Sequence, residues 1–142
     1  MNRVNTGQIA AGLAVLTAGG LIYVLRRTRS LLLFHIADKC GLRQAIDRWR
    51  DAVEDITLPE FVVYSLPGGL WATAYIVIVD GLLRQRPKAV RLLWAAAIPS
   101  TGVASELMQH AGWLSGTADV ADLLCYGTPY IAYIIYITYA KK

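Results

Sequence analysis

Charge is what this sequence has least of. Only 17 % of its 142 residues are Asp, Glu, Lys or Arg, while 56 % are apolar and the mean hydropathy is +0.43. Ordinary soluble domains carry about 25 % charged residues. So few charges cannot cover a soluble globule of this length, and so much apolar content excludes a disordered tail. Cysteine is as scarce. Cys40 and Cys125 stand far apart, outside any CxxC or Cys/His spacing. That excludes a disulfide framework and a zinc signature, and leaves both as apolar filler. Internal repeats and low-complexity segments are missing too. So is a basic face, although the formal charge is +4 and the pI near 9.2. Lysine and arginine instead punctuate apolar runs, at Arg26, Arg27 and Arg29, at Arg84, Arg86 and Lys88, and at Lys141 and Lys142. Such flanking charge marks membrane spans and excludes nucleic acid as a partner.

What is present is a series of apolar runs, each near the ~20 residues that a crossing needs. The first covers 7–25 without a charge and carries Ala10, Ala14 and Ala18 at a spacing that lets helices approach closely. It is long for the apolar part of a signal peptide, and arginines follow it instead of a small-residue cleavage site, so it is expected to stay as an anchor. The second run covers 58–83, the third 89–112 with Pro99 inside it, and the fourth 118–140. Thr57 and Glu60 read as a capping box opening the second, with Pro59 in its first turn. Pro67-Gly68-Gly69 is expected to open that helix and free backbone groups.

Between the first two runs, an apolar patch from Leu31 to Phe34 leads into a different pattern. Leu42, Ala45, Ile46, Trp49, Ala52, Val53 and Ile56 fall on one helical stripe, with charges on the other face. The spacing predicts an amphipathic helix over 36–56 that lies in the interface or caps the spans. The expected fold is therefore all-α: a single transmembrane domain over 1–142, an integral membrane four-helix bundle with one amphipathic interfacial helix.

Lysine and arginine leave the orientation tied. Arg26, Arg27, Arg29, Lys39, Arg43, Arg48 and Arg50 lie on one face of such a bundle. Arg3, Arg84, Arg86, Lys88, Arg91, Lys141 and Lys142 lie on the other. Nine of the ten acids fall toward the first face, which tips the expectation to cytoplasmic termini, although acids weigh little in this rule. The arginines directly after the first run point the other way.

Chemistry-bearing residues converge at one end. Glu106, Gln109 and His110 share a helix face where the third run ends; Asp119 and Asp122 open the fourth, with Tyr126 a turn deeper. Pro67, Gly68 and Gly69 lie at a depth that would border them. Ionisable groups at membrane depth are costly and usually mark function. Each also has a structural explanation: Asp119 as an N-cap, Asp122 as a first-turn acid, Glu106 and His110 as solvated ends, the glycines as a packing kink, the tyrosines as anchors. Glu106 and His110 have the i, i+4 spacing of two metal ligands, and Asp119 or Asp122 would complete an oxygen-rich site for a divalent cation. No other cofactor is evident. Ser105 precedes Glu106, but helix neighbours point apart and make no nucleophile–base pair.

The run Ser105-Glu106-Leu107-Met108-Gln109, followed after a short loop by Gly116-Thr117-Ala118-Asp119-Val120-Ala121-Asp122 and Tyr126, resembles the VanZ-like family of small bacterial membrane proteins. In that family a Glu-x-x-Gln ends one span and an Asp-x-x-Asp opens the last. Leu66-Pro67-Gly68-Gly69-Leu70-Trp71 is similar to a stretch in some relatives of that group. The resemblance covers 58–140. It implies a helical protein of the bacterial cell envelope, in the inner (cytoplasmic) membrane, one member being linked to glycopeptide resistance, and implies no reaction. The function expected is a polar intramembrane pocket binding a lipid or lipid-linked headgroup. Two alternatives stand beside it: a non-enzymatic subunit or assembly factor that meets a protein partner or a second copy through the first span, and an oligomeric transporter or channel.

Overall fold

A computed structural model describes residues 4–27 and 32–139. The flanking charges Arg3, Arg29, Lys141 and Lys142, the start of the apolar patch at Leu31 and the last position of the fourth run, Ala140, lie outside the described residues. Those residues are helical throughout their regular structure, in the order α1 (Thr6–Arg26), α2 (Leu32–Lys39), α3 (Arg43–Ala52), α4 (Glu60–Tyr64), α5 (Leu66–Leu82), α6 (Lys88–Ala95), α7 (Ala97–His110) and α8 (Val120–Tyr139). α1 and α8 are each long and apolar enough to cross a membrane, and only 11 % of each apolar window is buried.

Asn5 starts α1 by accepting the Gln8 N–H at 3.2 Å, which fills one of the donors that a helix start leaves open. α1 then runs antiparallel to α5. Gly12 faces Ala74 and Ile78, Gly19 faces Leu70 and Trp71, and Gly81 faces Ile9. A Cβ on Gly12 would stand 2.5 Å from Ile78, and one on Gly19 would stand 2.9 Å from the Trp71 ring. The close approach therefore uses glycine. Ala10, Ala14 and Ala18 lie on the exposed side of α1.

Two of the expected helices are divided where proline and glycine act locally. Pro67 would deprive Val63 of its helical donor and crowd the preceding turn. The interruption accordingly falls at Ser65, two residues earlier than expected, and Pro67 sits in the first turn of α5, where its missing N–H leaves no gap. Pro67, Gly68 and Gly69 are helical and buried, and the expected opening with free backbone groups is not there. Ala96 breaks α6 from α7 in the same way ahead of Pro99. The capping box is also corrected. Pro59 precedes α4 as its N-cap residue, with no side-chain cap hydrogen bond.

The amphipathic segment is two helices, not one. Gly41 adopts φ +71°, and Leu42 N–H reaches the Ala37 carbonyl at 2.9 Å while Gly41 N–H reaches Asp38 at 3.0 Å. This is a Schellman closure, which a left-handed glycine permits despite unbroken periodicity. α3 seats on the end of α1, and α2 packs on α3. Arg50 donates to the Val24 and Arg27 carbonyls, each at 2.9 Å, and Arg26 donates to the Val53 carbonyl at 2.7 Å. The Arg50 guanidinium also lies over the Phe34 ring. Trp49, at 58 % exposure, and Leu42, at 54 %, keep the apolar stripe outward.

α5 is the central helix, packed on α1, α8, α6 and α7. It runs parallel to α8, with Gly68 beside Tyr126 and Asp80 beside Tyr133. α7 runs antiparallel to α8, with Gly102 beside Tyr126. The buried interior is made largely of small residues, Ala72, Ala74 and Ala95 with Ile76, Tyr133 and Ile137. Leu13, Leu16, Leu21, Leu93, Ile131 and Ile135 point outward. Small residues inside and large apolar ones outside invert the usual soluble pattern.

Candidate functional site

The residues predicted for the site gather around Tyr126. Its ring fills a slot between two glycines on different helices. A Cβ on Gly102 of α7 would come within 2.4 Å of the ring, and one on Gly68 of α5 within 2.8 Å of the hydroxyl. Gly69 rests on Cys125 of α8, whose carbonyl lost its helical donor to Pro129. Pro67, Gly68 and Gly69 thus serve as a close-packing wall behind the tyrosine.

Glu106 is 7 % exposed, and its Oε2 accepts the Asp119 N–H at 3.1 Å. Asp119 Oδ1 in turn accepts the Ala121 N–H at 2.8 Å, the local bond by which an aspartate starts a helix. These two carboxylates therefore hold the α7–α8 turn. Gln109 packs beneath Gly116, whose φ of +136° a side chain would not tolerate. His110 is exposed at the end of α7. Among the described residues, no group of three or more His, Cys, Asp or Glu side chains is placed to hold a metal ion.

Asp122 differs from its neighbours. Its Oδ1 is buried and has no hydrogen-bond partner, and the same holds for Nε of Arg27. Arg27, which sequence reasoning treated only as a flanking charge, turns its guanidinium onto two aromatic faces, 5.0 Å from the Tyr64 ring centre and 5.5 Å from that of Tyr23. Arg27, Asp122 and Glu106 all lie within electrostatic reach of the Tyr126 hydroxyl. The site therefore contains a cation, two carboxylates and a phenol. One donor atom and one acceptor atom are left open.

A second polar centre, at the start of α1, was missed altogether. Asp80 is 2 % exposed. Its Oδ2 accepts Gln8 Nε2 at 2.7 Å, and its Oδ1 accepts Arg91 Nε at 2.9 Å, Arg91 Nη2 and the Tyr133 hydroxyl. Arg84 and Asn5 extend the network through Gln8 Oε1. A groove of about 510 Å³ beside it is lined by Thr73, Val77, Pro129 and Tyr136 among others. The signal was available: Asp80 is the one acid inside the 58–83 apolar run beyond its first turn, and such a residue needs a named partner. Four donors on one carboxylate neutralise it and tie α1, α5, α6 and α8 together. Comparison with family models, with curated proteins and with solved structures returns no match for this chain.

Proposed function

We propose that the chain is a small multi-pass membrane protein whose Tyr126 end forms a polar pocket for a lipid or lipid-linked headgroup. In this reading α1, α4 with α5, α6 with α7, and α8 each cross the bilayer as a four-helix bundle, and α2 and α3 lie in the interface. The outward Leu and Ile side chains and the glycine–alanine contacts support it. So does length. α5 alone has 17 residues, about 25 Å at helical rise, short of the ~30 Å apolar layer, and α4 supplies the rest. The resemblance to the VanZ-like family supports placement in the cytoplasmic membrane of a bacterium, with the charge asymmetry favouring cytoplasmic termini.

One observation carries the pocket: Asp122 Oδ1, one helical turn before Tyr126, is buried without a partner, as is Arg27 Nε. Each atom of that kind costs about 1–3 kcal/mol, a cost that a polar ligand bonding to Asp122 would offset. Native mass spectrometry of the protein, extracted gently from its own membrane, tests this. The expected result is one lipid or lipid-linked glycan per chain, lost in Asp122→Asn. Equal retention in wild type and variant overturns the pocket.

The outward stripe of Ala10, Ala14 and Ala18 favours a second reading, a subunit or assembly factor docked through α1. A stoichiometric protein partner in the same spectrum, released by Ala14→Leu, would be its signature.

A further inference from the structure

We infer that the groove between α5 and α8 beside Asp80 is a separate lipid site, which takes one acyl chain of an anionic phospholipid whose phosphate is held at Arg84. The inference rests on the membrane placement proposed above and is independent of the Tyr126 pocket. The groove holds about 510 Å³ and is lined by Thr73 and Val77 of α5, by Pro129, Ala132 and Tyr136 of α8, and by Gln8 of α1. Thr73 to Asp80 and Pro129 to Tyr136 each advance seven positions along parallel helices, about 10 Å at helical rise. The polar groups at its wall are already bonded. Asp80 has its four donors, Gln8 Nε2 and the Tyr133 hydroxyl among them, and the Thr73 hydroxyl donates to the Gly69 carbonyl at 2.8 Å. What the groove offers is therefore ring and hydrocarbon surface, and an acyl chain asks for nothing else. Ala132 and Tyr136 are exposed, so the groove opens sideways onto the bilayer and its lipid exchanges with it.

Gln8 joins the groove to a cation. Its side chain lines the wall, and its Oε1 accepts Arg84 Nη1 at 3.3 Å. That bond uses one of the five guanidinium N–H groups. Arg84 is exposed and has no other hydrogen-bond partner among the described residues, which leaves the rest for a phosphate, the anion that paired N–H groups fit. The charge at this mouth has one sign. Arg91 offsets Asp80 at the same carboxylate. Asp80 is the one acid between Glu60 and Glu106, whereas Arg84, Arg86 and Lys88 follow it within eight residues. A zwitterionic head would set its ammonium among these cations, with the nearby carboxylate already taken. A head that carries a phosphodiester and no amine meets attraction alone.

Because that lipid exchanges, the test is made in intact vesicles. Wild type, Arg84→Gln, Ala132→Trp and Asp122→Asn are reconstituted in phosphatidylcholine with a trace of phosphatidylglycerol or phosphatidylcholine that carries a diazirine on one acyl chain. Photolabelled positions are mapped by peptide mass spectrometry, with circular dichroism confirming the helices. Expected is labelling within 73–77 and 129–136, about five-fold stronger with the phosphatidylglycerol probe, the preference that one arginine at the membrane surface supplies. Arg84→Gln should bring the two probes level and leave the labelled positions unchanged. Ala132→Trp, whose ring fills the groove, should remove most of the labelling from both. Equal labelling by the two probes in wild type, or a preference that survives in Arg84→Gln, overturns the headgroup. Full labelling in Ala132→Trp overturns the groove, as does its protection from both probes by a partner helix cross-linked across Ala132→Cys. Asp122→Asn should label like wild type even where it empties the Tyr126 pocket; loss of labelling in that variant overturns the independence of the two sites.

Discussion

Where α1 begins, a buried carboxylate is met by four donors from three side chains. Where α1 ends, about 28 Å away at helical rise, a buried carboxylate oxygen and a buried guanidinium nitrogen have none. Both centres place charge among apolar helices, and both draw on the same helices, α1, α5 and α8. They differ in completeness. The Asp80 centre is closed by the chain itself, so its charge is spent on joining helices. The Arg27–Asp122 centre keeps two buried polar atoms without a partner. Buried charge alone therefore does not distinguish the two centres; the completeness of their hydrogen bonding does.

That contrast predicts opposite responses to mutation. The largest effect is expected at the closed centre. Arg91→Met strands the Asp80 carboxylate and should destabilise the protein by about 3–5 kcal/mol, the usual penalty for breaking one side of a buried pair. Unfolding in mixed micelles would measure it. The double variant Asp80→Leu with Arg91→Met should recover most of the loss. A smaller loss, about 1–3 kcal/mol, is expected for Gly102→Ala, whose new methyl overlaps the Tyr126 ring; the same protein should lose retained lipid. Tyr133→Phe removes one of the four bonds to Asp80 and should cost about 1.5–3 kcal/mol without touching lipid retention. Least of all, Arg27→Gln and Asp122→Asn should shift stability by under ~1 kcal/mol while abolishing ligand retention. A strongly destabilised Asp122→Asn would break the comparison, because it would make the open centre a second structural lock.

The two ends were unequally legible in the sequence. α1 at Thr6–Arg26 and α8 at Val120–Tyr139 fall almost on the apolar runs 7–25 and 118–140, because a long uninterrupted run is a local property of composition. The one break expected, at Pro67-Gly68-Gly69, lies two residues earlier, and the break at Ala96 was not expected. Proline acts on the residues before it, so Ser65 and Ala96 give way while Pro67 and Pro99 begin the next helix. Gly41 was invisible to periodicity, since a stripe continues across a left-handed residue as readily as through a helix. Glu106, Asp119, Asp122 and Tyr126 were brought together correctly because they flank one short loop. Gln109 and His110 sit in the same helical turn, yet only Gln109 turns inward, under Gly116. Asp80 escaped because two of its partners are distant in the chain: Gln8 lies 72 residues from it, and Tyr133 lies 53. No spacing rule reaches that far.

The reciprocal clamp at the end of α1 gives the outer helices a mechanical part. Arg50 holds the carbonyl of Arg27, the residue whose guanidinium lines the open centre, and Arg26 holds α3 in return. α3 is thereby fastened to the backbone of Arg27 from one side and to its neighbour's guanidinium from the other, so the exposed Trp49 face and the end of α1 form one unit, and neither can be repositioned without carrying the other.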